Sequence, residues 1–298
     1  MLKAININIP IFSKSEYSFT IDTMIIDKSF NPELYYKSIV EINKGYRYIF
    51  CAIENTSRYV FVYPTKSESE QKDCFIRFLN YLESINKTPQ YIISDASRQF
   101  TNKKIQKTIQ KYNIIHKVYQ GYIRRKNEHT KKEENIYLLQ NQHPLSRVDR
   151  FIRTLREKLF IICEDDNWID RIDNVINTYN NTESKALKVT NIKNGEIVKS
   201  YYTPYQVFNS KELMVKIKLQ ILIKHNNEQL KLNNSFKPGV LVRKLILKPD
   251  LAKGSNLYSR EIYTIKQRIG NSFYLQNNKT KEIENEPVSY KRLKIVKN

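Results

Sequence analysis

Three segments rich in Ile, Val, Tyr and Phe follow one another near the start of the chain, and turn-forming Asn, Lys and Gly separate them. β-branched and aromatic residues favour strands, and runs of this kind bounded by polar turns are typical of hairpins. The three segments are residues 17–26, 47–53 and 59–63. The sequence therefore predicts that the chain begins with three antiparallel strands.

Helices and strands alternate after these segments. Ser67, Glu68 and Glu70 supply an N-cap and first-turn acids for a helix. The predicted elements are a helix over 67–84, a strand over 91–94, a helix over 102–112 and a strand over 114–119. This order is the ribonuclease H-like one, and it predicts an α/β fold with a five-stranded mixed sheet flanked by helices.

The second part of this domain is mainly helical. Residues 120–143 are polar, basic and without clear periodicity, which predicts a mobile loop or a basic insertion. Apolar residues at helical spacing then predict two amphipathic helices. They are Val148, Phe151, Ile152, Leu155, Leu159 and Ile162 in the first helix, and Trp168, Ile169, Ile172, Val175, Ile176 and Tyr179 in the second. Another insertion is predicted over 188–202, and Thr203-Pro204 predicts the start of a final helix.

The C-terminal part has a different pattern. The polar residues 225–235 predict a linker. From Phe236 onward, short alternating segments are separated by Gly239, Gly254 and Gly270. This pattern predicts a small all-β barrel of five strands, SH3-like or chromodomain-like.

The net charge narrows the choice of partner. A formal charge of +21 and a pI of about 9.6 favour a polyanion, either DNA, RNA or an anionic membrane. A membrane is the weakest of these, because the chain has no uninterrupted apolar run of about 18 residues and no signal peptide pattern. We therefore expect an intracellular protein that is not secreted and that binds nucleic acid.

Cysteine and histidine usage argues against structural cross-links. Cys51, Cys74 and Cys163 are far apart, so a disulfide framework is not expected. The four histidines and three cysteines offer no paired spacing for a structural zinc site.

Three aspartates lie at the ends of, or within, the predicted elements. Asp22 and Asp95 are in strand-like segments, and Asp149 is at the edge of the apolar stripe of a helix. Carboxylates are preferred ligands of Mg²⁺, so a fold that brings these side chains together would form a divalent metal site. This is the outline of a nuclease or polynucleotidyl transferase site.

The surrounding motifs resemble the catalytic core of retroviral-type integrases. The resemblance is greatest to integrases of large self-synthesising DNA transposons, the Polinton or Maverick type, and of related viruses. The motifs run in order along most of the chain. The first motif covers residues 45–50 and 54–64, which include Ser57-Arg58-Tyr59, and the second covers 93–102 around Asp95. The third is the helical segment Asp149-Arg150-Phe151-Ile152-Arg153-Thr154-Leu155. The last two are Tyr179-Asn180-Asn181-Thr182 with Thr203-Pro204, and 236–243 with 259–265.

The resemblance implies a metal-dependent enzyme that joins the ends of element DNA to target DNA. Asp22, Asp95 and Asp149 would be its catalytic residues and would hold two Mg²⁺ or Mn²⁺ ions, with Asp22 bridging both. Water would first cut the end of the element's DNA, and the freed 3′ hydroxyl would then attack the target. Implied partners are double-stranded DNA and, through the C-terminal barrel, chromatin. A homo-oligomer is implied because two ends are joined in concert, and the host nucleus, a viral factory or a virion is the implied location.

The resemblance also divides the chain into domains. These are an N-terminal extension over 1–16, an integrase catalytic core over 17–224 with the basic insertion at about 120–143, a linker over 225–235 and a DNA-binding barrel over 236–298. The zinc module that usually precedes such a core is not expected here.

Basic residues near the acids and in the barrel are candidate phosphate contacts, which would position DNA without reading its sequence. They are Lys103, Lys104, Lys107, Lys111, Arg147, Arg150, Arg153, Arg156, Arg243, Lys244 and Lys248. Each by itself could equally be a solvated charge on a basic protein. The collective positive field is the stronger indication.

The chain departs from the integrase pattern at two places. Asp149 stands where these enzymes usually have Glu, and Glu128, Glu133 and Glu134 are alternative third acids within the basic insertion. Ala96-Ser97 and Gln99 replace the Asn-Gly and Glu of the turn after Asp95. Because Gly adopts positive φ without penalty, its loss is expected to restrict this turn.

These departures leave two alternatives open. One is a catalytically decayed integrase that still binds DNA, and the other is a ribonuclease H-like nuclease that cuts without transferring. The barrel could also read chromatin through an aromatic cage for methyl-lysine. The aromatic residues available for such a cage are Tyr258, Tyr263, Phe273 and Tyr274.

Overall fold

The structure is a computed structural model that describes residues 17–26, 40–119, 122–126, 133–137, 145–162, 167–193, 196–245 and 258–296. The chain forms two compact units. One unit combines the described residues from 17 to 123 with those from 145 to 221. The other combines those from 124 to 137 with those from 222 to 296.

The first unit contains a five-stranded mixed sheet in the order β3-β2-β1-β4-β5. Its strands are β1 (Ser18–Ile25), β2 (Tyr48–Glu54), β3 (Val60–Thr65), β4 (Tyr91–Asp95) and β5 (Ile115–Tyr119). Strands β1, β2 and β3 are antiparallel neighbours, whereas β4 runs parallel to both β1 and β5. This arrangement agrees with the ribonuclease H-like sheet that the sequence predicts.

Seven α-helices lie wholly within the described residues. They are α1 (Gln71–Ser84), α2 (Arg98–Thr101), α3 (Lys103–Lys111), α4 (Ser146–Ile162), α5 (Ile172–Asn180), α6 (Pro204–Asn209) and α7 (Lys211–Ser235). The N-termini of α3 and α6 are among those capped by side chains. Asn102 Oδ1 accepts from the N–H groups of Lys104 and Ile105, both over 3.1 Å. Thr203 forms a capping box with Gln206, which confirms the helix start predicted at Thr203-Pro204.

The sheet of the first unit separates two apolar cores. Residues of β1 alternate between them, because successive side chains of a strand point to opposite faces. The α1-side core combines Phe19, Ile21, Phe75, Phe78, Ile92 and Ile105 with further buried residues. The α4-side core combines Met24, Ile26, Ile93, Val148, Phe151, Leu155, Trp168 and Ile172 with others. The apolar stripe predicted for α4 is therefore the surface that covers one face of the sheet.

Two predicted insertions contain regular strands. Within the segment 120–143, β6 (Tyr122–Lys126) and β7 (Glu133–Tyr137) form a two-stranded sheet. The described residues within 188–202 belong to two paired antiparallel strands, β8 (Ser184–Lys193) and β9 (Glu196–Tyr202), which together are called the β8–β9 hairpin. Leu187 and Val189 of this hairpin are buried with Val207 and Ile217, so burial stabilises a segment whose sequence is mostly polar.

The predicted linker over 225–235 is helical, because α7 continues without interruption to Ser235. Its residues are polar but include good helix formers, and the chain has no Gly or Pro from 211 to 237. Leu232 is buried within this segment. The polarity of this segment therefore does not indicate its secondary structure, since helix propensity does not depend on an apolar surface.

The C-terminal part of the second unit is all-β. Its five-stranded sheet has the order β13-β12-β11-β10-β14. The strands are β10 (Leu241–Lys244), β11 (Tyr263–Ile269), β12 (Ser272–Asn277), β13 (Val288–Ser289) and β14 (Leu293–Ile295). Gly270 has a φ of 60° in the two-residue turn between β11 and β12, where a residue without Cβ is favoured. The five predicted strands are present.

Two further predictions concern cross-links and membranes. Cys51 and Cys74 are buried and form no disulfide, and Cys163 lies outside the described residues. Among the helices that the structure describes, none combines the length and the apolar character needed to cross a bilayer.

Candidate active site

Asp22 and Asp95 lie on neighbouring parallel strands. The pairing between β1 and β4 ends at Thr20 and Ile93, two residues before each aspartate. The same register, continued along both strands, sets Asp22 beside Asp95. The antiparallel neighbour of Asp22 on the other side is Cys51 of β2.

Strand periodicity places both aspartates on the face of the sheet that α4 covers. Asp22 is two residues before Met24, and Asp95 is two residues after Ile93, so each shares the face of that apolar neighbour. Met24 and Ile93 both belong to the α4-side core. Asp149 directly follows Val148 of the same core, in the first turn of α4. The fold thus brings the three predicted acids to one face of the sheet.

The three carboxylates influence one another electrostatically. Burial raises the pKa of Asp22 from 3.8 to about 7, although the Thr23 N–H, which donates to Asp22 Oδ1 over 2.7 Å, opposes the shift. The negative charges of Asp95 and Asp149 raise this pKa further. A nearby cation would therefore stabilise the ionised form of Asp22.

The turn after Asp95 does not require glycine. The Ser97 N–H donates to Asp95 Oδ1 over 3.2 Å, so the aspartate side chain itself closes the turn. Ser97 has φ −62° and ψ 148°, and Ala96 is not among the residues with positive φ. The expectation that losing Gly restricts this turn is wrong, because the backbone here stays in a region open to all residues.

Side chains behind β4 support the backbone of Asp95. Ser94 Oγ donates to the Asp95 carbonyl over 2.7 Å, and His116 Nε2 lies 2.9 Å from the same hydroxyl. The Gln106 amide nitrogen lies 3.0 Å from His116 Nδ1. Since the Ser94 proton goes to Asp95, the ring donates through Nε2 and accepts through Nδ1. Burial lowers the pKa of His116, which keeps the ring neutral.

The donor set suits a hard divalent cation in charge and chemistry, because three carboxylates offer only oxygen ligands. In the part of the chain that the structure describes, however, no group of three or more His, Cys, Asp or Glu side chains is close enough to hold a metal ion. Asp149 is exposed, and its N–H donates to the Leu145 carbonyl over 3.0 Å. The acids thus share one face without forming a closed ligand cage.

The structure describes two of the three alternative third acids. Glu133 and Glu134 belong to β7 in the second unit, and Glu128 lies outside the described residues. Asp149 is the candidate that lies in the unit of Asp22 and Asp95.

A buried carboxylate that the sequence analysis did not single out organises the hairpin between β2 and β3. Glu54 is fully buried, and its Oε2 accepts from Ser57 N (2.6 Å), Ser57 Oγ (2.8 Å) and Thr56 N (2.9 Å). Arg58 follows in the left-handed region, with φ 64°. Burial lowers the pKa of Arg58, and the Glu54 charge opposes that shift. The Ser57-Arg58 sequence is a signal for this turn, and only the structure shows that Glu54 stabilises it.

The predicted phosphate contacts differ in exposure. Arg147 is half-buried, and burial with the nearby charge of Arg58 lowers its pKa. Lys244 is paired with Glu284. Lys248 lies outside the described residues. The exposed members are Lys103, Lys104, Lys107 and Lys111 on α3, Arg150, Arg153 and Arg156 on α4, and Arg243 on β10.

The aromatic residues considered for a methyl-lysine cage have mainly other roles. Tyr263 and Phe273 are buried in the core of the C-terminal sheet. Lys244 Nζ lies 4.4 Å from the Tyr263 ring centroid, and Lys294 Nζ lies 5.4 Å from that of Tyr258. Because two of the four are core residues, a cage built from three of them is not formed here.

Comparison with known proteins gives a partial match. A family model described as the integrase core domain matches residues 36–122, which include Asp95 but neither Asp22 nor Asp149. No curated protein matches the chain. One similar solved structure is the HTLV-2 integrase catalytic core domain in complex with magnesium, in a trimeric form. The two are 17% identical, the match covers 64% of this chain and 95% of that chain, and the TM-score is 0.39.

Proposed function

We propose that this protein is a DNA integrase or transposase-type polynucleotidyl transferase. The observation that carries the proposal is the electrostatic coupling of Asp22 to Asp95 and Asp149, three acids on one face of the sheet. Perturbed acids that converge in this way are typical of functional sites. The integrase core domain match to residues 36–122 supports the same class.

Asp22, Asp95 and Asp149 would hold two Mg²⁺ or Mn²⁺ ions, with Asp22 shared between them. Such ions stabilise the negative charge that develops on the attacking and leaving oxygens during phosphodiester transfer. The protein side chains would orient the site: the Thr23 and Ser97 N–H groups hold one oxygen each of Asp22 and Asp95. Their remaining oxygens would be available to bind the cation. Asp149 would complete the site from the first turn of α4.

Double-stranded DNA is the proposed substrate. The net charge of +21 supplies a long-range attraction for phosphates. The exposed lysines of α3 follow Asp95 in the chain, and the exposed arginines of α4 follow Asp149. Both groups would contact the DNA backbone and position the scissile phosphate, while the C-terminal sheet would add further DNA or chromatin contacts.

The finer features of the proposal follow from the integrase resemblance. They are 3′-end processing followed by strand transfer, a homo-oligomer that joins two ends in concert, and an element of the Polinton or Maverick type or a related virus. The corresponding location is the host nucleus, a viral factory or a virion.

A second candidate is a catalytically decayed integrase that only binds DNA. The observation that favours it is that the described residues contain no preformed group of three or more metal ligands. In this case the basic surface would be retained and the acids would have lost their role.

A strand-transfer assay separates the two candidates. Short duplexes are incubated with the wild type, Asp22→Asn and Asp149→Asn in Mg²⁺ and in Mn²⁺. Asp173→Asn is the matched control, because Asp173 is an exposed aspartate in the first turn of another helix, α5. Joined products that disappear in the first two variants and persist in the control support the transferase. Salt-sensitive binding without cleavage or joining in either metal supports the DNA-binding alternative.

A further inference from the structure

A chain of side-chain hydrogen bonds lies on the α1-side face of the sheet, opposite the face that carries the three acids. Gln99 Nε2 donates to Thr23 Oγ1 over 2.9 Å, and Thr23 Oγ1 donates to Gln71 Oε1 over 3.0 Å. Gln71 Nε2 in turn donates to Thr65 Oγ1 over 2.5 Å. The chain connects helix α2, strand β1, helix α1 and strand β3 through four neutral side chains.

The direction of these bonds follows from the chemistry of the Thr23 hydroxyl. It has one proton, which it gives to Gln71, so its contact with residue 99 requires a donor there. A glutamine supplies that donor through its amide, whereas an ionised glutamate could not. Gln71 and Thr65 are almost fully buried, at 1% and 2% exposure, so an unpaired polar atom in this chain would be costly.

Both ends of the Gln99–Thr23 contact are attached to a candidate metal ligand. Thr23 is the neighbour of Asp22, and its N–H holds Asp22 Oδ1. Gln99 lies in the short helix α2, whose N-cap Ser97 holds Asp95 Oδ1 through its own N–H. The backbone pairing between β1 and β4 ends two residues before the aspartates. Beyond that point, the Gln99–Thr23 bond connects β1 to helix α2, which follows β4.

We propose that Thr23 and Gln99 are positioning residues that set the separation of the Asp22 and Asp95 carboxylates, and thereby the affinity and ion selectivity of the metal site. This inference rests on the proposed function, in which these two acids share an ion. Mg²⁺ demands nearly ideal octahedral geometry, so it is sensitive to small displacements of its ligands. Outer hydrogen-bond partners of metal ligands typically affect affinity by about 10- to 100-fold.

Four variants test the inference in the full-length protein by calorimetric titration with Mg²⁺ and Mn²⁺. Thr23→Val removes the hydroxyl at nearly constant shape, and Gln99→Met removes the amide at nearly constant length. We expect each to weaken Mg²⁺ binding about tenfold or more, and Mn²⁺ binding less. Thr23→Ser, which keeps the hydroxyl, should restore the wild-type affinity. The double variant should be no weaker than the worse single variant, because both break the same connection.

Thr108→Val is the matched control. Its hydroxyl donates to the Lys104 carbonyl within α3, so the variant removes a comparable bond without a link to either aspartate. Melting temperatures in EDTA, measured for every variant, report any general loss of stability. We expect the ratio of Mg²⁺ to Mn²⁺ affinity to change in Thr23→Val and Gln99→Met and to stay constant in the control.

The outcomes distinguish failure of this inference from failure of the proposed function. If Asp22→Asn abolishes metal binding while Thr23→Val and Gln99→Met bind both ions like the wild type, the positioning role is wrong and the metal site stands. Equal losses of Mg²⁺ and Mn²⁺ affinity, with no recovery of affinity in Thr23→Ser, would show a purely structural role. This result would also overturn the inference. A wild type that binds neither ion overturns both proposals.

Discussion

The side chain of Asn180 pairs with the backbone of Val60 as a neighbouring strand would. Val60 N donates to Asn180 Oδ1 over 3.0 Å, and Asn180 Nδ2 donates to the Val60 carbonyl over 3.0 Å. Asn180 is the last residue of α5, and it is buried. These two bonds fix the end of α5 to the first residue of β3, which gives a structural reason for the Tyr179-Asn180-Asn181-Thr182 motif.

Replacing Asn180 by Ala should therefore destabilise the protein by about 2–4 kcal/mol, because two backbone groups lose their partners in a buried place. Denaturant unfolding measures the change. Asn181→Ala is the matched control: among the described residues, the side chain of this exposed neighbour bonds to Asn177 of α5. Equal effects of the two substitutions would contradict the role assigned to Asn180.

Replacing Glu54 by Gln should cost about 2–4 kcal/mol, since the carboxylate accepts charge-assisted bonds from Ser57 and Thr56 and an amide would place a donor against a donor. The measurement is again the free energy of unfolding. Glu212→Gln serves for comparison, because Glu212 is exposed and forms a surface pair with Lys216 whose loss should have a much smaller effect. A Glu54 variant as stable as the wild type would show that the hairpin does not depend on this charge.

The raised pKa of Asp22 predicts that Asp22→Asn stabilises the metal-free protein at pH 8, by on the order of 2 kcal/mol. The folded protein binds this proton more tightly than the unfolded chain does. Wild-type stability therefore falls as the pH rises from about 4 to about 7, and it is constant above that range with respect to this group. The advantage of the variant should shrink as the pH is lowered through the same interval.

Unfolding curves measured in EDTA between pH 4 and pH 8 provide the test for Asp22. Asp173→Asn controls for the loss of one negative charge at an exposed position. An Asp22→Asn variant that is less stable than the wild type at pH 8 would mean that the carboxylate is stabilised by its surroundings without metal.

His116 predicts a pH dependence of the opposite sign. Burial lowers its pKa below the ordinary value of 6.5, so the unfolded chain takes up the proton first. The stability that the neutral ring contributes is present above pH 6.5 and is lost as the pH falls from 6.5 towards the lowered pKa. We expect His116→Asn to be less stable at pH 8 by about 1–2 kcal/mol, because the link between Gln106 and Ser94 is broken.

The stability advantage of the wild type over His116→Asn should therefore grow as the pH rises from 5 to 7. His225→Asn, on α7, is the comparison variant. Parallel curves for the wild type and His116→Asn would exclude His116 as the source of the acid sensitivity.

The exposed arginines of α4 should govern part of the salt dependence of DNA binding. For the double variant Arg150→Gln, Arg153→Gln, the slope of log K against log salt should decrease by about 1 for each phosphate that the protein no longer neutralises. Fluorescence anisotropy with a duplex at several salt concentrations measures the slope. Lys224→Gln with Lys231→Gln removes the same charge from exposed positions of α7, and an equal effect of this pair would point to net charge alone.

Local patterns in the sequence are sufficient to predict most of the helices and strands of the first unit. The segments around Asp22 and Asp95 alternate or are continuously apolar, and the stripe beginning at Val148 repeats at helical spacing, so their elements can be predicted. The hairpin containing Leu187 and Val189 cannot be predicted in this way. Only these two of its described residues are buried in the core shared with α6 and α7, so its sequence shows no clear apolar pattern. The polarity of segment 225–235 indicates a linker, but polarity does not report helix propensity.

The identity of the three aspartates was determined by the sequence alone, since each is recognisable from its immediate neighbours. Their arrangement was decided by the tertiary structure: the parallel pairing of β1 and β4 places Asp22 and Asp95 on adjacent strands, and packing of α4 on the same face adds Asp149. The Gln99–Thr23–Gln71 chain has the same origin, because hydrogen bonds between residues distant in sequence depend on distances that no local pattern encodes. Sequence thus supplied the chemical groups, and folding supplied the separations and the low-polarity surroundings that raise the pKa of Asp22.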